Sequence, residues 1–192
     1  MHLEMNYIAL KENKFHLGDY ALIPIRQKDM EIIRQWRNAQ ISNLRQSAKL
    51  SMIDQKLYFK NVVKLNFTNK ETEQLLFSLL KNNKLIGYGG LVNLSWKDKR
   101  AEMSFLLDDQ RARNEHFYKE DMTYFITLIK RVVFEEIRFN RMFTETFAFR
   151  KFHILILEEN GYVREGILRD HIMESGKFYD SVIHGMNRSD FS

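Results

Sequence analysis

The side chains that could do chemistry in this chain are carboxylates, histidines, arginines and tyrosines, because none of its 192 residues is Cys. The lack of Cys excludes thiolate nucleophiles, disulfides and Cys-ligated metals, and it fits a reducing cytoplasm. The six His are scattered without the spacing of a metal-binding helix, so no metal is expected. The sequence has neither a P-loop nor a nucleophile elbow, which excludes P-loop NTPases and Ser-His-Asp hydrolases.

Proton transfer and anion binding remain as the chemistry that these residue types could support. His184, near the end of the chain, could relay a proton near neutral pH. Arg37 and Arg45 could bind an anionic acceptor such as a nucleotide diphosphate, because a guanidinium group matches phosphate geometry. Trp96, in the polar run SWKDK, fits a surface or pocket position, whereas Trp36 fits the core and, as the alternative, the same pocket.

The composition predicts one folded domain. Hydrophobic residues make up 44% of the chain, and fifteen Phe and eight Tyr predict an aromatic-rich core. The chain has no apolar run long enough to cross a membrane and no signal-peptide core near its start, so we expect a cytoplasmic protein without membrane contact. The net charge of +5 fits an anionic ligand. No helix has a dense Lys/Arg stripe with interleaved aromatics, so no nucleic acid partner is expected.

Strands and helices alternate along the chain and must position these residues. Tyr20–Arg26 predicts a strand, with Asn6–Leu10 as its expected hairpin partner, and amphipathic helices follow over Gln27–Asn38 and Met52–Leu65, the second capped by Ser51. The other predicted strands are Gln74–Lys81, Lys84–Leu94, Arg100–Leu107, Arg141–Ala148, Tyr162–Met173 and Phe178–Asn187, and the other predicted helices are Tyr118–Ile137 and Lys151–Asn160.

The order β-α-α-β-β-β-α-β-α-β-β predicts a mixed α/β fold in a single domain. Strands that are adjacent early and alternate with helices later predict a sheet that is antiparallel at its start and parallel at its centre. We expect this domain to cover residues 20–188, preceded by an extension over residues 1–19 that holds an extra strand.

Three passages together resemble the GNAT (Gcn5-related) N-acetyltransferase superfamily, over about Tyr20 to Met186. IIRQWRN, followed by LRQ, resembles the opening of one branch of that family. GYGGLVNLSWKDKRAEMSFLLD resembles its third and fourth strands, and HILILEENGYVREGILRDHIMESGKFYDSVIHGM resembles its closing helix and terminal hairpin. The branch contains the ribosomal-protein N-terminal acetyltransferases and the amino-sugar acetyltransferases. The resemblance implies a parallel centre whose two strands splay apart.

The resemblance also implies acetyl-CoA as co-substrate, without a metal. The pantetheine arm would lie like an added strand in the gap between the splayed strands. One wall would come from Phe105, Leu106 and Leu107, and the other from Thr144–Phe147. Arg150 and His153 fall where relatives often carry a Ser and an Asn that contact the cofactor.

The loop that usually defines the family departs from its pattern. Relatives have a Gly-rich loop whose backbone N–H groups hold the pyrophosphate of coenzyme A, but Asp109–His116 contains no Gly. Three alternatives follow. Arg111 and Arg113, next to Asn114, replace the backbone contacts by charge-assisted bonds. The second alternative is a longer loop with a helix beginning near Tyr118, and the third is weakened or lost acetyl-CoA binding.

For catalysis, the resemblance offers Glu102 as the base that deprotonates the amine, often through water. The general acid of many relatives is a Tyr that corresponds to Leu157 here, so either Tyr88 or Tyr179 serves or no protein acid is needed. The amine pocket would lie between the first helices, the strand turn near Trp96 and the last hairpin. Its candidate residues are Trp36, Arg37, Arg45, Gln46, Tyr88, Trp96, Tyr179 and Asp180.

The acceptor expected from the resemblance is the amine of a nucleotide-linked amino sugar. One alternative is the N-terminal amine of a protein such as a ribosomal protein. Another is a non-catalytic protein that binds a ligand or partner on a degenerate GNAT scaffold. The resemblance also allows a homodimer through sheet edges or the long helix.

Overall fold

An eight-stranded mixed sheet runs through residues 5–191, the part of the chain that the computed structural model describes. Its strands are β1 (Phe15–Leu17), β2 (Tyr20–Pro24), β3 (Leu75–Lys81), β4 (Lys84–Ser95), β5 (Arg100–Leu107), β6 (Arg141–Phe147), β7 (Val163–Glu174) and β8 (Lys177–Asn187). Their spatial order is β1-β2-β3-β4-β5-β6-β8-β7. Strands β5 and β6 are parallel, and the other neighbours are antiparallel. The predicted mixed α/β sheet with an antiparallel start and a parallel centre is therefore confirmed.

Six α-helical segments in the described residues cover or flank this sheet. They are α1 (Met30–Ala39), α2 (Met52–Tyr58), α3 (Lys64–Phe67), α4 (Asp109–Ala112), α5 (Glu115–Lys130) and α6 (Lys151–Glu159). A π-helical turn at Phe59–Val63 joins α2 to α3, and another at Arg131–Glu136 continues α5. Ser51 caps α2 as expected, in a capping box with Asp54. Within residues 5–191, no helix is both long and apolar enough to cross a membrane.

The hairpin at the start of the sheet differs from the sequence prediction. Strand β2 pairs with Phe15–Leu17, not with Asn6–Leu10, and Gly18 makes the turn between them at a φ of 59°. The predicted partner instead supplies Tyr7 to the core, where its hydroxyl donates to the Leu76 carbonyl at 2.8 Å. A buried phenol needs such a partner, which explains why this segment leaves the sheet edge. Residues 1–4 of the expected extension, like residue 192, lie outside the described part.

Both faces of the central strand β5 are covered, so alternate side chains meet different elements. On one face, the Phe105 ring lies 4.6 Å from the ring of Phe125, a fully buried residue of α5. On the other face, Ser104 shares a cavity with Ile33 of α1 and with Phe59. The helices before β3 and the long helix after β5 therefore hold β5 from opposite sides.

The parallel strands at the centre separate soon after they meet. Strands β5 and β6 pair at three positions in the described chain, Arg100↔Arg141, Ala101↔Met142 and Glu102↔Phe143. Beyond Glu102, β5 stays paired with β4 and β6 stays paired with β8. A wedge-shaped gap therefore opens between residues 103–107 and 144–147, and this is the splayed centre that the sequence predicted.

Candidate active site

A cavity of about 220 Å³, here called the site cavity, opens at the narrow end of this gap. Its walls come from the loop after α1, from β4, β5 and β6, and from the start of α6. Six predicted site residues line it: Arg37, Arg45, Glu102, Phe105, Arg150 and His153. Among the described residues, no cluster of His, Asp or Glu is placed to hold a metal ion.

Glu102 lies at the last paired position before the strands part, and its side chain is buried. One carboxylate oxygen accepts from the Asn93 amide at 2.8 Å, and the other accepts from the guanidinium of Arg45. Asn93 has a φ of 50° where the register of β4 breaks between Val92 and Ser95. Such a bulge re-aims a side chain, and here it directs the amide to Glu102. The carboxylate is therefore fixed in orientation at the wall of the site cavity.

Glu145 of β6 brings a second carboxylate to the site cavity. Its Oε2 lies 3.9 Å from Arg45, and its buried Oε1 accepts no hydrogen bond from the described chain but lies 3.6 Å from Nε2 of His171. A ligand N–H group within hydrogen-bond distance would stabilise this oxygen. The sequence placed this residue in the predicted wall Thr144–Phe147 but did not single out its carboxylate, which is the one acidic group of β6.

A chain of three polar side chains joins α5 to α6 beside the gap. Tyr118 lies 2.7 Å from Nδ1 of His153, and Arg150 donates to the Tyr118 oxygen at 3.0 Å. With that oxygen accepting from Arg150, the hydroxyl donates to Nδ1, which assigns the imidazole proton to Nε2. Within residues 5–191, Nε2 has no hydrogen-bond partner.

Burial keeps two of these groups neutral. Burial, reinforced by the positive charge of Arg150, lowers the pKa of His153 well below its ordinary value. Burial also raises the pKa of the Tyr118 phenol. Near pH 7 the site cavity is therefore lined by a neutral imidazole whose tautomer Tyr118 fixes. Sequence reasoning missed Tyr118, because its helix is 35 residues before His153 in the chain.

The Gly-less loop after β5 forms the short helix α4 and then turns into α5. Helix α5 begins at Glu115 rather than near Tyr118, because the Asn114 side chain accepts from the Phe117 N–H and caps it. The guanidinium of Arg111 is held by the buried Asp121 through two bonds, of 2.6 and 2.8 Å. Because two of its nitrogens already donate to Asp121, Arg111 has few N–H groups left for a ligand.

Arg113 is the more available guanidinium of this loop. Its side chain is 75% exposed and pairs with Asp109 at 2.9 Å. Of the predicted wall residues, Leu106 and Leu107 are buried, and the Leu107 carbonyl accepts from the Gln40 side chain at 2.8 Å. Their side chains do not line the site cavity, whereas that of Phe105 does.

Both Trp residues lie away from the site cavity. Trp36 is buried in the core, the first of the two positions expected for it. The Trp96 indole donates to the Thr72 carbonyl at 2.8 Å and packs edge-on against Phe139 at 5.0 Å. These contacts occupy the polar group of Trp96 and hold its ring against Thr72 and Phe139.

The last hairpin also stays outside the site cavity. Tyr179 packs edge-on against Phe149, and Asp180 accepts from a backbone N–H of the neighbouring strand. His184 is fully buried, with Nε2 3.3 Å from Glu158, and burial lowers its pKa. His184 does not line the site cavity, although its strand partner Thr144 does, and its catalytic role stays a sequence prediction.

Arg37 connects the site cavity with a second, larger cavity. It donates to the Tyr88 hydroxyl at 2.7 Å and to the Gln46 amide oxygen at 2.9 Å. Arg37 lines both cavities, and Tyr88 lines the second one. The structure thus brings Arg37, Gln46 and Tyr88 of the predicted substrate set into contact, and Arg45 lines the site cavity beside Arg37. The other four residues of that set, Trp36, Trp96, Tyr179 and Asp180, line neither cavity.

Comparison with known proteins places this geometry in a family. A family model described as "Acetyltransferase (GNAT) domain" matches residues 22–183. The SPbeta prophage-derived uncharacterized N-acetyltransferase YokL of Bacillus subtilis (strain 168) is 32% identical over 79 residues, or 41% of this chain. The chain spans 42% of the length of that curated relative.

Solved structures share the fold at low sequence identity. A spermidine N-acetyltransferase from Vibrio cholerae, in complex with CoA and spermine, has a TM-score of 0.77 at 15% identity, covering 90% of this chain and 98% of that one. A chimera of SpeG from Vibrio cholerae and hSSAT has a TM-score of 0.75 at 15% identity, covering 91% and 98%. The family match over most of the sequence, on a sheet with this splayed parallel centre, shows that the chain belongs to the GNAT acetyltransferase domain family.

Proposed function

We propose that this protein transfers the acetyl group of acetyl-CoA to a primary amine. The observation that carries the proposal is the buried, oriented carboxylate of Glu102 at the point where β5 and β6 part. Acetyl-CoA supplies the acetyl group as an activated thioester. The protein must hold both reactants in the gap, take a proton from the amine and stabilise the departing sulfur.

The residues around the gap fit the cofactor. Past Glu102, β5 and β6 do not pair with each other, so an extended pantetheine chain can lie between them as an added strand. Phe105 and Thr144 line this opening, with the backbone of Leu106 and Leu107 beyond. Arg150 lies beside it, and Arg113 is exposed near the start of α5. We propose that these two guanidinium groups bind the phosphates that relatives hold with a Gly-rich loop.

Glu102 is proposed as the base, because an amine attacks a thioester only in its neutral form. Arg45 and Asn93 hold the carboxylate, so it needs no reorganisation to receive a proton. Glu145 lines the same cavity as a second carboxylate, so it can attract the ammonium form of the acceptor. In this proposal Glu145 attracts the ammonium group, and Glu102 removes the proton from it.

His153 is proposed as the donor on the leaving side. Its Nε2–H has no partner in the described chain, and its ring lines the site cavity. It would stabilise negative charge that develops on the departing sulfur, in place of the Tyr that relatives have at Leu157. Tyr118 is a positioning residue, because it fixes the tautomer of His153. Of the other candidates for this role, Tyr88 is bound to Arg37, and Tyr179 lies outside the site cavity.

For the acceptor, a nucleotide-linked amino sugar remains the first proposal. Arg37 and Arg45 support it, since both line the site cavity and could bind phosphate. The structural neighbours named above act on spermidine or bind spermine, and the carboxylates Glu102 and Glu145 favour a polyamine as the second candidate. The N-terminal amine of a protein remains the third.

Two measurements test the proposal. Saturating acetyl-CoA or coenzyme A should raise the melting temperature, because a ligand that binds only the folded state stabilises it. Acetyl transfer is then measured on a nucleotide-linked 4-amino sugar, spermidine and a peptide with an N-terminal Ala. An unchanged melting temperature with both cofactors would favour the non-catalytic binding protein. Acetylation of the peptide alone would refute the sugar.

The homodimer expected from the resemblance stays a proposal. Strand β7 forms one edge of the sheet and exposes Val163, Ile167 and Met173. Such apolar edges favour pairing with a second copy. Light scattering after size-exclusion chromatography should give the mass of two chains, and Met173→Glu should reduce it to one. The mass of a single chain for the unaltered protein would exclude the dimer.

A further inference from the structure

An apolar cavity of about 410 Å³, here called the inner chamber, lies behind the site cavity. Its walls come from α1, from α2 with the π-helical turn after it, and from the inner strands β3 to β5. The site cavity and the inner chamber share three lining residues, Arg37, Val92 and Ser104. A ligand in the site cavity can therefore extend into the inner chamber past Arg37.

The size and lining of the inner chamber suit a planar ring. Buried apolar side chains form much of its wall, among them Ile33, Phe59, Val63 and Leu76. The aromatic side chains of Tyr58 and Tyr88 also line it. A dry apolar cavity of about 150 Å³ is known to take up benzene, so the inner chamber has room for a ring with substituents.

One polar group inside the inner chamber is left for a ligand. The Gln55 side-chain amide lines it, is 6% exposed, and makes no hydrogen bond within the described part of the chain. The amide atoms of Gln55 are not among the buried side-chain atoms that lack a partner, so water can reach them and a ligand that enters the inner chamber can replace that water. A heterocycle with a donor or acceptor on its edge would do so.

The charges around the inner chamber argue against a polyamine. Arg37 places a positive charge at its junction with the site cavity. Asp54 is the one carboxylate in its lining, and its oxygen already accepts from the Ser51 N–H in the capping box of α2. A second ammonium group would therefore enter a mostly apolar space next to a guanidinium, with the exposed Asp54 as the one carboxylate of the lining to balance it.

We infer that the inner chamber binds a planar ring of the acceptor, tethered to the amine that is acetylated. The inference rests on the proposed acetyl transfer and names the acceptor class for the same site. Arg37 lies between ring and amine, where it can bind an anionic tether. The shared chemistry is a ring joined to a primary amine, and two sources offer it: the base of a nucleotide-linked amino sugar, or the ring of a simple arylalkylamine.

Binding is tested without acetyl-CoA, so that it does not depend on activity. Saturation-transfer NMR of 2-phenylethylamine and of UDP reports whether either ring contacts the protein. Val63→Phe fills the inner chamber and should abolish the transfer to the ring protons. Val62→Phe is the matched control, because Val62 is its neighbour and does not line the inner chamber. If Val63→Phe does not fold, Leu50→Phe fills the inner chamber from a partly exposed position.

Kinetics then compare four amines: a nucleotide-linked 4-amino sugar, 2-phenylethylamine, ethanolamine and spermidine. We expect the ring-bearing amines to have the lower KM, and Val63→Phe to raise that KM about tenfold, the effect of losing one buried ring. The KM of ethanolamine should stay within about twofold, since it has no ring to lose. The ring-bearing amine with the lower KM identifies the source of the ring.

The outcomes separate the two proposals. Equal effects of Val63→Phe and Val62→Phe on binding would overturn the inner chamber as a ring site. A KM for spermidine or ethanolamine below that of both ring-bearing amines would also overturn it. Ring binding that Val63→Phe abolishes, together with acetylation of none of the four amines, would support the ring site and overturn the proposed acetyl transfer.

Discussion

Glu102 depends on its neighbours for its orientation: Arg45 binds one oxygen and Asn93 the other. Glu102→Gln removes the proton acceptor and leaves a side chain of nearly the same shape. We expect kcat to fall by about 100-fold or more, the usual contribution of a general base. The affinity for acetyl-CoA, measured by titration calorimetry, should stay unchanged because Glu102 acts on the amine.

The control for this variant is Glu174→Gln, at the exposed turn of the last hairpin, which should leave kcat unchanged. A Glu102→Gln variant that keeps its full rate would show that another group, with Glu145 first, removes the proton.

Tyr118 affects the reaction only through His153, because its hydroxyl fixes the tautomer of that imidazole. Tyr118→Phe removes the bonds to His153 and Arg150, so the imidazole is free to change tautomer. We expect kcat to fall about tenfold, as for the loss of one oriented hydrogen bond. The pH profile of kcat should shift with it, which a loss of packing alone would not cause. Tyr124→Phe, on the same helix and stacked on Tyr20, is the control.

Sequence reasoning reached part of the site. The resemblance pointed to Glu102, Arg150 and His153, because each lies within a motif of its own strand or helix. Tyr118 was missed, and Glu145 was included only as part of the wall Thr144–Phe147, since the roles of both depend on which strands and helices become neighbours. Arg111 was predicted to bind the cofactor, but it binds the buried Asp121 instead. No local pattern in the loop indicates that contact.

At the scale of secondary structure, the pairing of β3 with β4 requires a residue without a side chain at position 90. Gly90 has a φ of 150°, and a Cβ there would lie 1.9 Å from the Leu75 carbonyl oxygen. Gly90→Ala must therefore displace the backbone of β3, and we expect it to lower the free energy of unfolding by about 2 to 4 kcal/mol.

Gly166→Ala is the matched control, because a Cβ there meets nothing within 4 Å. Urea unfolding of both variants gives the comparison. An equal effect of both substitutions would mean that β3 and β4 can separate to accept the methyl group. The pair would then be less rigid than its register indicates.

The sequence predicted the type and order of most helices and strands, but some of their first residues were predicted wrongly. Period-2 and period-3.6 patterns predicted the strands from β2 onward and the helices α1, α2, α5 and α6. Helix α5 begins three residues earlier than the apolar stripe, because its first turn is polar and is capped by Asn114. Strand β1 was misplaced, since its three residues are too few for a periodic signal.

For the molecule as a whole, two buried histidines make stability depend on pH. Burial lowers the pKa of both His153 and His184 below 6.5 in the folded state. The unfolded chain therefore takes up protons below about pH 6.5 that the folded chain does not, and folding weakens as the pH falls. The stabilisation is fully present above that pH.

We expect the melting temperature to fall steadily between about pH 7 and pH 5, the range in which unfolded His titrates. His184→Asn, which leaves the site cavity intact, should make this dependence shallower than in the unaltered protein. His16→Gln, at an exposed position of β1, should leave it unchanged. A slope that is the same in all three proteins would exclude His184 as a cause.

The short pairing of β5 with β6 also determines how the gap can move. Three residue pairs join the two halves of the sheet, β1–β5 and β6–β8. If one half rotated about those pairs, the gap would widen at Leu107 and Phe147, while its narrow end would hardly move. Glu102 belongs to one of those pairs. The open end can therefore admit or release a long ligand while the carboxylate keeps its place.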